Sequence, residues 1–244
     1  LSNFLVIAHS KRNETVPHWM HQACMEMLER PCPTASIYEG HIFDIGQSRT
    51  MLAREALKIP ETTHILFVDD DIIPIDPLSL KKLFAFLKKT GESIVSGLYY
   101  MKQPPHPPLL MGINETEEGM RFQLPKAGDP PTDTVLRVGA VPAGFLLVKR
   151  EVFEKLEPPW FVYADLGLGK RMKLKGTEQP PGEDIYFSVK ATDAGYKLYV
   201  DCRVRLGHYV PMFVGPKDVT AQINDGLYES QVERLRKQLD STLT

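Results

Sequence analysis

The sequence predicts an α/β fold with a mainly parallel central sheet, helices on both faces and a smaller antiparallel part. Three observations carry that expectation. Strand-like and helix-like segments alternate through the first half of the chain, the pattern of linked βαβ units. The run His64-Ile65-Leu66-Phe67-Val68 is almost wholly apolar, as strands covered on both faces are. Hydrophobic residues at 43% and charged residues at 25% are the proportions of a chain that buries a core.

The first strand covers residues 4–8 and leads into a polar loop at 9–13. A helix starts near Thr15, with Pro17 in its first turn and Trp19, Met20, Ala23, Met27 and Leu28 on its apolar side. A weak strand at 36–38 precedes a second helix at 47–57, whose buried face is Met51, Leu52, Ala56 and Leu57. After the strand at 64–68, Asp76-Pro77 opens a third helix, in which Leu80, Leu83, Phe84 and Leu87 recur at helical spacing. Another strand spans 93–99. Residues 120–124 and 134–141 predict antiparallel strands around a Gly/Pro-rich loop. A strand at 145–148 passes into a short helix at 150–156; a helix at 182–194 and a strand at 197–200 follow. Apolar residues at helical spacing over 219–239 predict a terminal helix. The expected organisation is a catalytic domain at 1–215, with a nucleotide-binding half to about residue 100 and an acceptor half beyond it, and a helical tail at 216–244.

Composition excludes several classes. A formal net charge of −2 lacks the basic excess of an electrostatic nucleic-acid binder. The 20 prolines include pairs at 104–105, 107–108, 130–131, 158–159 and 180–181, which stiffen extended loops. Three cysteines without metal spacing read as plain thiols of a reducing, cytoplasmic setting. No apolar run is long enough for a membrane span. The opening Leu1-Ser2-Asn3-Phe4 reads as a trimmed start without signal-peptide features. Two Asn-Glu-Thr sequons, at Asn13 and Asn114, match a pattern that is common by chance.

The sharpest local feature is Asp69-Asp70-Asp71, directly after the strongest strand. Adjacent carboxylates repel one another, so a compensating cation is expected. The carboxyl ends of parallel strands are where open α/β sheets bind ligands, and hard oxygens there suit Mg²⁺ or Mn²⁺ with substrate phosphates. The structural alternative is an acidic strand exit that caps the next helix. Glu183-Asp184 falls in a first helical turn, where the helix dipole alone favours acids, although a carboxylate in a cleft can act as a general base. His208 is a lone histidine, a type more often structural than catalytic, although a neutral imidazole can serve as a third protein ligand to a metal held by the aspartates.

Four segments together resemble nucleotide-sugar glycosyltransferases of the GT-A fold, particularly the family 2-like group. They are Ser48-Arg49-Thr50-Met51-Leu52-Ala53-Arg54-Glu55-Ala56-Leu57; Ile65-Leu66-Phe67-Val68-Asp69-Asp70-Asp71-Ile72-Ile73-Pro74; Ala143-Gly144-Phe145-Leu146-Leu147-Val148-Lys149-Arg150; and Gly182-Glu183-Asp184-Ile185-Tyr186-Phe187 with Ala194-Gly195-Tyr196. The likeness runs from about Phe4 to His208, in the expected order. It implies transfer of a sugar from a UDP- or GDP-sugar to an acceptor hydroxyl with Mn²⁺ or Mg²⁺, the acceptor being undefined. Asp69 and Asp71 match the DxD pattern, the first on the ribose and both near the metal; Asp70 shares either task. The resemblance puts His9 and its loop beside the base, Arg49 near the nucleotide or diphosphate, and Ala143-Gly144 in a turn lining the donor pocket. Asp184 matches the catalytic base of inverting members, with Glu183 beside it, and His208 the late metal ligand. Thr50 departs from the usual Asn.

Rival readings are a haloacid-dehalogenase-like phosphohydrolase using Asp69 and Asp71, a nucleotidyltransferase and a non-catalytic sugar-binding protein. The first lacks the usual Gly-Thr after its aspartates; the second lacks a glycine-rich loop at residues 9–13. Trp160, Phe161 and Tyr163 either form a sugar-stacking platform or pack in the core.

Overall fold

Alternating side chains on the first strand divide the core in two. In the computed structural model of the chain, which describes residues 2–11, 18–40, 44–102, 106–116, 119–123, 133–163 and 182–210, Val6 and Ala8 enter one apolar cluster while Leu5 and Ile7 enter another. The strands are β1 (Leu5–Lys11), β2 (Thr34–Gly40), β3 (His64–Asp69), β4 (Ile72–Pro74), β5 (Ile94–Leu98), β6 (Gly112–Thr116), β7 (Gly119–Gln123), β8 (Val135–Val138), β9 (Phe145–Lys149) and β10 (Leu198–His208). The helices are α1 (His18–Met27), α2 (Ile45–Leu57), α3 (Ser79–Thr90), α4 (Arg150–Lys155) and α5 (Glu183–Asp193). Leu52, Ala53, Val152, Phe153 and Phe187 put α2, α4 and α5 on one face of the sheet. Met25, Leu80, Leu83, Phe84 and Leu87 put α1 and α3 on the other.

The sheet order is β2-β1-β3-β9-β5-β10-β4, with β8 also on β10. Strands β1, β2, β3, β5 and β10 share one direction, and β9 runs against them between β3 and β5. Continuous apolar burial along Phe145–Val148 is what lets this reversed strand occupy the middle. β4 and β8 oppose β10, and β6 with β7 forms a separate hairpin. The expected α/β fold is therefore present, with a mainly parallel sheet and helices on both faces.

Several local expectations are corrected. Residues 120–124 and 134–141 do not pair with each other: β7 joins β6, and β8 joins β10. β1 continues through His9 and Ser10, which pair with Tyr38 and Glu39 of β2, so the expected polar loop starts later. Trp19 and Met27 are 71% and 51% exposed, because α1 buries His21 and Met25 instead. A buried histidine breaks the apolar period that sets the helix phase. α2 begins at Ile45, since Asp44 caps it by accepting the Gln47 N–H at 2.9 Å. Its buried face holds Ser48, Arg49 and Thr50, whereas Met51 turns outward. α3 starts beyond Asp76-Pro77, where Asp76 accepts the Leu78 N–H at 2.9 Å. The chain divides at Tyr209/Val210, and the expected helix at 219–239 lies outside the described residues.

Candidate active site

Strand β1 and the residues flanking β9 and β10 pin the backbone of the acidic triplet, and its side chains point apart. The Asp69 N–H donates to Gly144 O at 3.0 Å, the Asp70 N–H to Ser10 O at 3.2 Å, and Asp71 O accepts the Tyr209 N–H at 2.8 Å. The carboxylates diverge accordingly. Asp69 goes to Arg49 of α2, Asp70 lies beside the His21 ring of α1, and Asp71 goes to Lys102 and His208. Asp69 and Asp71 thus each meet a basic side chain of their own, Arg49 and Lys102.

Arg49 is the buried centre of the first arrangement. Its Nη2 reaches Asp69 Oδ1 at 2.6 Å and Oδ2 at 2.7 Å, and its Nη1 donates to Glu183 Oε1. Burial alone would favour neutral arginine, but Asp69 and Glu183 outweigh it and hold the guanidinium charged. Burial raises the Asp69 carboxyl against the pull of Arg49, with Asp71 and Glu183 adding to the rise. Sequence likeness puts Arg49 near a diphosphate; in the structure its guanidinium is committed to these two carboxylates. Next to it, the Thr50 hydroxyl donates to Phe161 O and accepts from Phe161 N–H, both at 3.1 Å. Thr50 thereby fixes Phe161, which is buried along with Trp160. Of the three aromatics considered for a stacking platform, Tyr163 alone is exposed and lines the cleft.

The second arrangement is set by strand register. His208 pairs with Ile72, one residue beyond Asp71, which carries its ring towards that carboxylate. Nε2 stands 3.8 Å from Asp71 Oδ1, beyond hydrogen-bond length. Nδ1 lies 2.7 Å from Tyr100 O, an atom that only accepts, so Nδ1 donates to it and Nε2 is turned to Asp71. That second contact is the kind that orients histidine ligands of metals. Lys102 Nζ meets Asp71 Oδ2 at 2.5 Å.

These groups open onto one cleft of about 500 Å³ at the carboxyl ends of β3 and β5, a size that suits a small-molecule ligand. Arg49, Asp69, Asp71, Ala143, Glu183, Asp184 and His208 all line it, so seven of the expected site residues are brought together. Asp184 stands in the first turn of α5, capped at Gly182, and its Oδ1 accepts the Ile185 N–H at 2.7 Å. Burial, with Glu183 adjacent, pushes its carboxyl up to about 7.

Three expected residues fall elsewhere. His9 is buried, stacked on Tyr38 with ring centroids 4.3 Å apart, and its Nδ1 lies 3.0 Å from His21 Nε2. Burial and the neighbouring His21 lower its pKa to about 3. Asp70 is buried beside His21 and does not line the cleft. Gly144 is closely packed: a Cβ there would sit 2.7 Å from Tyr99 Oη and 2.8 Å from Ile72. Its N–H donates to Tyr99 Oη at 2.9 Å.

Sequence reasoning missed Tyr99 and Lys102, which also line the cleft. A single tyrosine and a single lysine after a strand carry no spacing signal; they become site residues through the neighbours the fold gives them. Among the described residues, no three His, Cys, Asp or Glu side chains surround a common point. Of the three expected metal ligands, Asp69 is held by Arg49, while His208 Nε2 faces Asp71. The pair fits a hard divalent ion whose remaining ligands come from a bound phosphate or water.

The sequence matches no protein-family model and no curated protein. Solved structures are similar in fold. A197 from STIV superposes with a TM-score of 0.55 at 17% identity, with 86% of each chain covered. GalNAc-T7, solved with UDP, GalNAc and Mn²⁺, superposes with a TM-score of 0.50 at 13% identity. That match covers 87% of this chain but 44% of the other, so this chain spans less than half of GalNAc-T7. No helix among the described residues is long and apolar enough to cross a membrane. At these identities the likeness is one of fold: the chain has an α/β architecture that matches a GT-A glycosyltransferase.

Proposed function

We propose that the chain is a metal-dependent glycosyltransferase that moves a sugar from a UDP- or GDP-sugar to an acceptor hydroxyl with inversion. The observation that carries this reading is the meeting of Asp71, His208 and Asp184 in one cleft at the carboxyl ends of the strands. Asp71 and His208 are the residues that would hold Mn²⁺ or Mg²⁺. When bound there, the ion supplies positive charge for the diphosphate leaving group.

Asp184 accepts the proton of the attacking hydroxyl. A carboxyl raised to about 7 has a basicity suited to proton transfer near neutral pH. Glu183, expected beside the base, is a positioning residue: it anchors the first turn of α5 to Arg49 and adds negative charge next to Asp184. Asp69, on the same guanidinium, presents an ordered carboxylate at the cleft wall for the donor ribose. The same pairing weighs against the phosphohydrolase, whose aspartate nucleophile needs an oxygen free to attack phosphorus.

Incubation with UDP- and GDP-sugars in Mn²⁺ tests the reading. The expected result is release of one nucleotide diphosphate, and NMR of the released sugar shows the inverted anomer. Hydrolysis of a simple phosphate ester, with no nucleotide sugar bound or cleaved, would overturn it.

A further inference from the structure

The segment after β5 delivers polar groups to the cleft in a fixed order. The Met101 N–H donates to Pro107 O at 3.0 Å and the Leu109 N–H to Tyr99 O at 2.9 Å, so residues 99–101 pair with the returning chain. His106, at a left-handed φ of 55°, places its Nδ1 3.0 Å from Met101 O. Held in this way, the stretch gives the Tyr99 hydroxyl to Gly144, the Tyr100 carbonyl to His208 and the Lys102 ammonium to Asp71. A cation therefore already sits on the carboxylate assigned above to a divalent ion.

We infer that Lys102 is a resident counter-ion of the cleft, which occupies Asp71 until a divalent ion takes that carboxylate and then turns to the diphosphate of the bound nucleotide. The inference rests on the transferase reading and adds to it a residue that governs ion and nucleotide binding together. One carboxylate cannot neutralise an ammonium and a divalent ion at the same time, and the two cations repel at contact range. His208, with its proton on Nδ1, brings no negative charge to offset them. Lys102 is able to move, because its side chain is 31% exposed and the ammonium is carried on a flexible four-carbon stem. A diphosphate entering the same cleft offers it a partner of higher charge, which a lysine binds as a point charge. Lys102 thus weakens ion binding to the empty protein and strengthens nucleotide binding.

The test uses K102M beside the unaltered chain. Mn²⁺ binding to nucleotide-free protein is read by electron paramagnetic resonance, and UDP and GDP binding in EDTA by calorimetry. Loss of one charge-assisted contact predicts Mn²⁺ affinity about tenfold tighter and diphosphate binding without metal about tenfold weaker. Mn²⁺ affinity that is unchanged or weaker in K102M overturns the inference. Tighter Mn²⁺ with undiminished diphosphate binding overturns its second half, the turn towards phosphate. If neither protein binds UDP or GDP with Mn²⁺ added as well as in EDTA, the transferase reading falls, and a gain in Mn²⁺ affinity still upholds Lys102 as the occupant of Asp71.

Discussion

Asp69 and Asp71 stand two residues apart at the end of one strand, and each holds a basic side chain, yet the two pairs are built differently. Arg49 comes from inside α2, is 2% exposed, and is gripped by carboxylates from two elements. Lys102 follows a strand, is partly exposed, and meets the Asp71 carboxylate beside the His208 ring. A guanidinium fork fixed between two buried acids is a strut, whereas an ammonium on a flexible stem is exchangeable. The difference teaches that two aspartates of one short acidic run can differ in kind, Asp69 being built into the cleft wall and Asp71 being held by a side chain able to exchange.

The comparison breaks most severely at Arg49. R49M leaves Asp69 and Glu183 without their shared cation, and the expected loss is about 3–5 kcal/mol, read from the urea unfolding midpoint. K102M, by contrast, is expected to change stability by about 0–1 kcal/mol in the same titration. Equal losses would show that the two pairs have the same role.

Asp184 sharpens the chemical side. D184N is expected to keep donor binding while transfer falls about 100-fold or more. The base acts when ionised, so the rate should rise as pH passes through about 7. The stability effect has the opposite sign. A carboxyl whose folded pKa exceeds its ordinary value binds its proton more tightly when folded, so its contribution to stability falls as pH rises from about 4 to about 7. D184N should flatten that decline, measured as the unfolding midpoint across the window. A decline that persists unchanged in D184N would assign the titration to another group.

Smaller effects probe the frame around the site. G144A forces a Cβ against Tyr99 Oη and Ile72 and is expected to cost about 1–3 kcal/mol in thermal or urea unfolding. T50V removes the hydroxyl that both donates to and accepts from Phe161, for about 1 kcal/mol.

Much of this was legible in the sequence because hydrophobic runs report burial. The apolar segments at 64–68 and 145–148 give β3 and β9, and Leu80, Leu83, Phe84 and Leu87 give the inner face of α3. The polar face of α2 was not legible by that route, since Ser48, Arg49 and Thr50 are buried for their hydrogen bonds and charge. Likewise, His9 reads as loop because histidine does not announce a strand, yet its ring is packed against Tyr38 and His21. The acids of the cleft could be found from their motifs. Lys102 could not, because its role follows from the return of 107–109 onto the segment after β5.

The most direct test of the division of labour between the two aspartates is calorimetric titration of UDP and GDP with and without Mn²⁺, comparing the unaltered chain with D71N. The account predicts that one nucleotide binds more tightly with Mn²⁺ and that D71N removes the metal-dependent part while the fold is retained. Mn²⁺-dependent affinity that survives undiminished in D71N would contradict the assignment of Asp71 as the ligand-facing carboxylate.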